Sequence, residues 1–183
     1  MASRDVATAR RISKGPRGEA GARALAVELR RFGSFRLEHS SEPKARRTAE
    51  VVAGELGLGP HERHGFEEID RAPLPILSRA EHAAHNVRLF AEPARAVVGD
   101  ESAERALARF EHALGAALSE QPAREPLVVV THGTVMALLV AAHNPIAAVE
   151  LWQRLECPSF VVLHAEGYRL SEVRDAIASD AAH

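Results

Sequence analysis

The chain reads as an α/β protein, a three-layer α/β/α sandwich with a mostly parallel central sheet. Three observations carry this reading. Leu127–Val128–Val129–Val130 is an unbroken aliphatic run without polar alternation, which suits a strand covered on both faces. A second apolar run follows Thr131–His132–Gly133 at once, has helical length and stops at Asn144–Pro145. Around this unit, helical stripes alternate with short apolar segments, the order that places helices on both sides of one sheet. With 183 residues and 46% hydrophobic content, the chain suffices for one sizeable core.

Taken in order, residues 1–17 carry the weakest signal, and Asp5–Ala9 reads as a short first strand, degenerate or truncated. Gly15–Pro16 marks a turn before a helix over about Gly18–Arg31, with Ala22, Leu25 and Leu29 as its apolar stripe and Gly33 as its end. Phe35–Glu38 reads as a strand leading to His39–Ser40–Ser41–Glu42–Pro43. The serines and Pro43 suit the start of a helix that turns Ala45, Thr48, Ala49, Val52 and Leu56 inward and closes at Gly57–Pro60. Residues 61–100 read as an irregular polar insertion with one helix near Ser78–Phe90, and long insertions tend to carry function. A long helix from Asp100–Glu101 to about Leu118 faces Leu107, Phe110, Leu114 and Ala117 inward. After the central unit come a helix near Ile146–Leu155 and two closing strands, Ser159–Leu163 and Tyr168–Val173, joined at Glu166–Gly167. Residues 1–175 are expected as a single domain and 176–183 as a frayed tail.

The net charge of −2 conceals an asymmetry, because nine basic residues stand against three acids within residues 1–36 and the remainder carries −8. A basic start could suggest nucleic acid or a transit peptide, but it runs straight into a helix that the domain needs, and aromatics are only 4%. These charges read instead as solvated, with one or two aimed at an anionic ligand. No apolar run is long enough to span a membrane. Cys157 is the single cysteine, which rules out an internal disulfide, points to a reducing, cytoplasmic setting, and reads as a small buried hydrophobe.

The central unit places His132 at the carboxyl edge of a buried strand and beside a helix N-terminus. Open α/β sheets bind ligands at that edge, and free helix N–H groups favour an anion there. A histidine at this point can hydrogen-bond a phosphoryl oxygen or move a proton.

Three segments carry a family resemblance. Ser40–Ser41–Glu42–Pro43–Lys44–Ala45–Arg46–Arg47–Thr48–Ala49–Glu50 resembles the "Ser-Ser … Arg-Ala-x-x-Thr-Ala-Glu" segment of the histidine phosphatase superfamily (phosphoglycerate mutase-like). Phe66–Glu67–Glu68–Ile69–Asp70 is similar to its "Leu-x-Glu-Ile-Asp" acid motif, and Val128–Gly133 to its second-histidine motif. Pro16–Arg17–Gly18 resembles the "Thr-Pro-x-Gly" start of its first helix. Order and spacing agree over roughly residues 16–175.

The resemblance implies a metal-independent phosphomonoester hydrolase. In the family a first histidine attacks phosphorus, arginines and a second histidine stabilise the equatorial oxygens, and a carboxylic acid protonates the leaving oxygen before activating water. By that correspondence His132 is the second histidine and Glu68 the acid, with Glu67 its neighbouring rival. Lys44 holds the place of the helix arginine, keeping the charge but losing the bidentate fork. Arg10 is expected to hold phosphate. The first motif is missing, since no histidine precedes His39. Its nearest match, Arg10–Arg11–Ile12–Ser13, puts Arg11 where the nucleophile belongs, and arginine cannot carry a phosphoryl group at neutral pH.

Arg63–His64–Gly65 spells the missing motif but follows a turn, so it reads as coincidence, while His39 reads as lining the pocket. His61–x–x–His64 and His82–x–x–His85 have zinc-compatible spacings without a Cys partner or a His-Glu-x-x-His pattern, so no metal and no cofactor is expected. Ser40 and Ser41 read as helix caps rather than nucleophiles. The expected ligand is a small-molecule phosphomonoester or phosphate, with no nucleic-acid or membrane partner and a homodimer left open. The alternative is a pseudophosphatase that binds a phosphorylated ligand or protein without turnover.

Overall fold

The computed structural model describes residues 5–10, 15–70, 78–97, 99–122 and 124–178, and builds them on one six-stranded sheet. Asp5–Arg10 forms β1, with Val6, Ala7, Thr8 and Ala9 buried. Pro16–Leu29 forms α1, its proline in the first turn where no N–H is required. A 3-10 turn, Arg30–Phe32, ends at Gly33. β2 (Arg36–His39) and α2 (Pro43–Leu56) follow, and α2 stops at Gly57 with a left-handed φ of 68°. Pro60–Glu62 forms β3. α3 (Arg79–Ala91) opens with a reciprocal capping box between Ser78 and Glu81. α4 (Ala103–Ser119) is capped by Ser102, whose Oγ accepts the Arg105 N–H. β4 (Leu127–Thr131), α5 (Gly133–His143), α6 (Ala148–Arg154), β5 (Ser159–His164) and β6 (Leu170–Arg174) complete the order.

The strands lie in the order β3-β2-β4-β1-β5-β6. The β2–β3, β2–β4 and β1–β4 pairs are parallel, whereas β5 runs antiparallel to β1 and β6 antiparallel to β5. Side chains alternate across a strand, so the aliphatic run of β4 feeds both faces. Val128 and Val130 meet Leu25, Leu37, Ala49 and Val52 beneath α1 and α2. Leu127 and Val129 meet Phe110, Leu114 and Leu139 beneath α4 and α5. The three-layer α/β/α architecture is therefore the one expected, on a mixed sheet whose four-strand parallel part ends its strands on one edge.

Several expectations need correction. The first strand, read as degenerate or truncated, pairs along its whole length with β5 and from Val6 to Arg10 with β4. β3 lies inside the segment read as irregular. Its residues are half-exposed or exposed and carry no apolar pattern; it pairs in parallel with β2 and is flanked by charge pairing. The Arg63 guanidinium donates to both oxygens of the buried Glu38 on β2 and to Glu120 at the end of α4. Arg63–His64–Gly65 accordingly follows a strand and not merely a turn. Cys157, expected as a buried hydrophobe, is exposed. In the tail expected to fray, Ile177 packs on the α1/α2 side of the core and its N–H donates to the Pro158 carbonyl; residues 179–183 lie outside the described residues. Among the described residues, no helix is long and apolar enough to cross a membrane.

Candidate functional site

Parallel register brings the ends of β1, β2 and β4 together. Arg10 lies opposite Thr131, and His39 opposite Val130, so Arg10, Ser40 and His132 leave the sheet along one edge. His132 is the residue that precedes α5, and its ring is 1% exposed. Its Nε2 lies 3.0 Å from Ser40 Oγ and 3.2 Å from Glu42 Oε1. Ser40 Oγ also accepts the Glu42 N–H at 3.2 Å. Neither expected serine caps α2, because Glu42 occupies the capping position and makes no side-chain cap.

The segment that carries the acid motif is clamped from both sides. Thr131 Oγ1 donates to the Phe66 carbonyl at 2.7 Å, and the buried Phe66 ring packs on Phe110, 5.1 Å between centroids. From α4, the Arg109 guanidinium donates to the carbonyls of Gly65, Glu67 and Glu68, and it pairs with Glu101. Held this way, Glu68 aims its carboxylate at the start of α5, where Oε2 accepts the Thr134 N–H at 3.3 Å. The Glu68 N–H in turn donates to Glu42 Oε1 at 2.8 Å.

Its neighbour Glu67 faces elsewhere, accepting from the Ser41 hydroxyl and the Gly65 N–H, each at 2.7 Å. Burial pushes the Glu67 carboxyl up, but the Ser41 hydroxyl, two backbone N–H groups and the Arg109 guanidinium outweigh it and hold it below the ordinary carboxylate range. A group kept ionised in this way is a poor proton donor. Of the two adjacent acids, Glu68 is the one at the helix N-terminus beside His132.

Arg10 reaches the same point from β1. Its guanidinium donates to the Leu155 carbonyl and lies flat against Gly133, where an added Cβ would stand 2.9 Å from Arg10 Nε. The glycine after the histidine thus permits a cation to rest on the helix start. Lys44 is half-buried on the first turn of α2, two residues beyond Glu42. His39 is buried with Nδ1 2.8 Å from the Ser40 carbonyl, and the His64 side chain is 87% exposed, 3.3 Å from Glu67. Arg11 lies outside the described residues. Of the histidines with zinc-compatible spacing, His82 stacks on Trp152, and no group of three or more potential ligands forms among the described residues.

A cavity of about 690 Å³ opens beside this cluster, lined by six carboxylates, Glu42 and Glu68 among them, and by Arg105 and Arg109. The arrangement can hold a small anion at the edge while presenting one carboxyl group to whatever is attached to it.

A family model described as histidine phosphatase superfamily (branch 1) matches residues 15–175. The chain belongs to the histidine phosphatase superfamily. Solved structures of similar fold include a mycobacterial hydrolase with 21% identity, covering 97% of this chain and 100% of that one at a TM-score of 0.77. A mycobacterial glucosyl-3-phosphoglycerate phosphatase is 20% identical, with 96% and 100% coverage and a TM-score of 0.75. That phosphatase is also known in complexes with VO3 and with inorganic phosphate. A putative α-ribazole-5′-P phosphatase from Escherichia coli is 19% identical, with 97% and 99% coverage and a TM-score of 0.69. No curated protein matches the chain by sequence.

Ser40, Glu42, Thr134 and Arg109 contact the candidate residues in ways to which the motif reading assigned no role. For Arg109 no sequence signal exists, since an arginine on a long helix reads as a solvated charge. For Ser40 and Glu42 the signal was present but masked, because a serine and an acid before a proline also describe a helix start.

Proposed function

We propose that the chain is a phosphomonoester hydrolase that works without a metal ion, and that residues 1–175 act as one domain. One observation carries the reading: Glu68 Oε2 accepts the Thr134 N–H in the first turn of α5, the helix that His132 precedes, on the edge where Arg10 ends β1. A phosphoryl group between Arg10, His132 and the α5 N-terminus would have the charge of its oxygens met by fixed donors. Lys44 adds a cation from α2. Glu68 would protonate the leaving oxygen and afterwards take a proton from water. The ligand is a small-molecule phosphomonoester or phosphate, a reading supported by the shared fold of the mycobacterial phosphatase that holds phosphate and VO3. The carboxylate-rich cavity suits a leaving group that is neutral or cationic and rich in hydrogen-bond donors, and it disfavours a second phosphate. A cytoplasmic setting goes with the proposal on the strength of the single cysteine.

A second reading, a pseudophosphatase that binds a phosphorylated ligand without turnover, is favoured by one feature. No histidine precedes His39, and Arg11 stands where the family's nucleophile does. Hydrolysis of p-nitrophenyl phosphate across pH 5–8 with chelator present, beside His132→Ala, separates the two. Turnover that disappears in the variant supports the hydrolase. No turnover, with phosphate raising the melting temperature of the parent and not of His132→Ala, supports the pseudophosphatase. Phosphate binding that survives in His132→Ala removes His132 from the site.

A further inference from the structure

We propose that Glu42 is an internal anion of this site, occupying the donors that a phosphoryl group needs and swinging away when one binds. The proposal rests on reading His132 as a phosphate ligand. The Glu42 carboxylate faces two site groups at once: Oε1 lies within ion-pair distance of His132 Nε2, at 3.2 Å, and accepts the Glu68 N–H at 2.8 Å. The fold holds both groups in place. His132 is buried at the end of β4, and the Glu68 backbone is gripped by Arg109. A carboxylate oxygen set against an imidazole ring nitrogen and accepting a backbone N–H stands where one phosphoryl oxygen would.

Glu42 itself is built to leave. Its side chain is 38% exposed, it does not cap α2, and its backbone N–H is satisfied by Ser40 Oγ whatever the carboxylate does. It also lines the open cavity, so a rotation about its own side-chain bonds can carry the charge toward solvent. The anion site then exists in a closed form, filled from within, and an open form that accepts ligand. Apparent affinity falls in proportion to the open fraction, so an open form of about one molecule in ten weakens phosphate binding about tenfold.

The test is calorimetric titration of the whole chain with inorganic phosphate, comparing the parent with Glu42→Gln, Glu42→Ala and Asp100→Asn. Glu42→Gln keeps the size and removes the charge, and it carries the test should the alanine variant melt lower than the parent. Asp100 lines the same cavity without touching His132, and so reports the effect of cavity charge alone. Both Glu42 variants should bind phosphate about tenfold tighter or more, and Asp100→Asn within about twofold of the parent. Glu42 variants that bind phosphate no tighter than the parent overturn the proposal while leaving the phosphate site standing. Equal tightening in Asp100→Asn also overturns it, because cavity charge would then be the cause. Should none of the four proteins bind phosphate at millimolar concentration, the phosphate reading falls and this proposal with it.

Discussion

Glu38 is the most consequential single charge outside the candidate site. It lies on β2 with a fully buried side chain, and among the described residues no other carboxylate sits so deep in an ion pair. Arg63 Nε donates to Oε2 at 2.6 Å and a terminal guanidinium nitrogen to Oε1 at 3.2 Å. Arg36 Nε adds an ion pair at 2.8 Å, without hydrogen-bond alignment. The Arg63 guanidinium is held still more firmly protonated than usual, chiefly by its hydrogen bonds to Glu38 and then to Glu120. Replacing Glu38 by Gln keeps the shape but leaves two partly buried guanidinium groups facing an amide. Breaking a buried pair costs about 3–5 kcal/mol. Arg63 retains Glu120 and some water, which places the expected loss at the lower end, about 3 kcal/mol. With a urea slope of about 2 kcal/mol/M, the denaturation midpoint should fall by about 1.5 M. Because Arg63 tethers β3 and the segment leading to Glu68, phosphate affinity should weaken in the same variant. Arg63→Met should lose a similar amount, and the double variant clearly less than the two losses added, since both remove one interaction. A midpoint shift below about 0.3 M for Glu38→Gln would refute the argument that this carboxylate fastens β3.

Gly133→Ala is expected to weaken phosphate binding about tenfold with little change in melting temperature. The added methyl group would stand 2.9 Å from Arg10 Nε and displace that cation, while alanine fits the helical backbone there; unchanged binding would remove Arg10 from the anion site. Glu67 contributes to acid sensitivity. Its folded carboxyl is held below the ordinary value of 4.5, so its stabilisation is present above that value and disappears as pH falls through the lower folded one. The urea midpoint of Glu67→Gln should thus lie below that of the parent at pH 7 and approach it near pH 3. Asn144 ties the end of α5 to the β5–β6 turn, donating to the Val140 and Tyr168 carbonyls and accepting the Leu170 N–H. Asn144→Ala should cost about 2–3 kcal/mol, read as a drop in melting temperature, at about 1 kcal/mol for each bond.

Much of this was legible in the chain itself. Local chemistry dictates the aliphatic run of β4, the turn at Thr131–His132–Gly133, the apolar stripes of α1, α2 and α4, and the stop at Gly57, because period, caps and turn residues act over a few positions. The family-like motifs likewise pointed to His132 and to the adjacent pair Glu67 and Glu68 as candidates before any contact was known. What the local pattern could not express is which distant groups meet. β1 is a weak strand by composition, yet it is central, because its hydrogen bonds come from β4 and β5, more than a hundred residues away. β3 has no apolar pattern at all and exists by pairing with β2, a strand more than twenty positions earlier, with the Glu38–Arg63 ion pair beside it. The different surroundings of Glu67 and Glu68 come from distant groups, Ser41 and Gly65 for the one and the Thr134 N–H for the other. Ser40 and His132, separated by 92 positions, come within 3.0 Å only because β2 and β4 share a register. Tertiary structure therefore decided the charge balance of the site, and with it the place of Glu42, since electrostatics depends on distance through space and not along the chain.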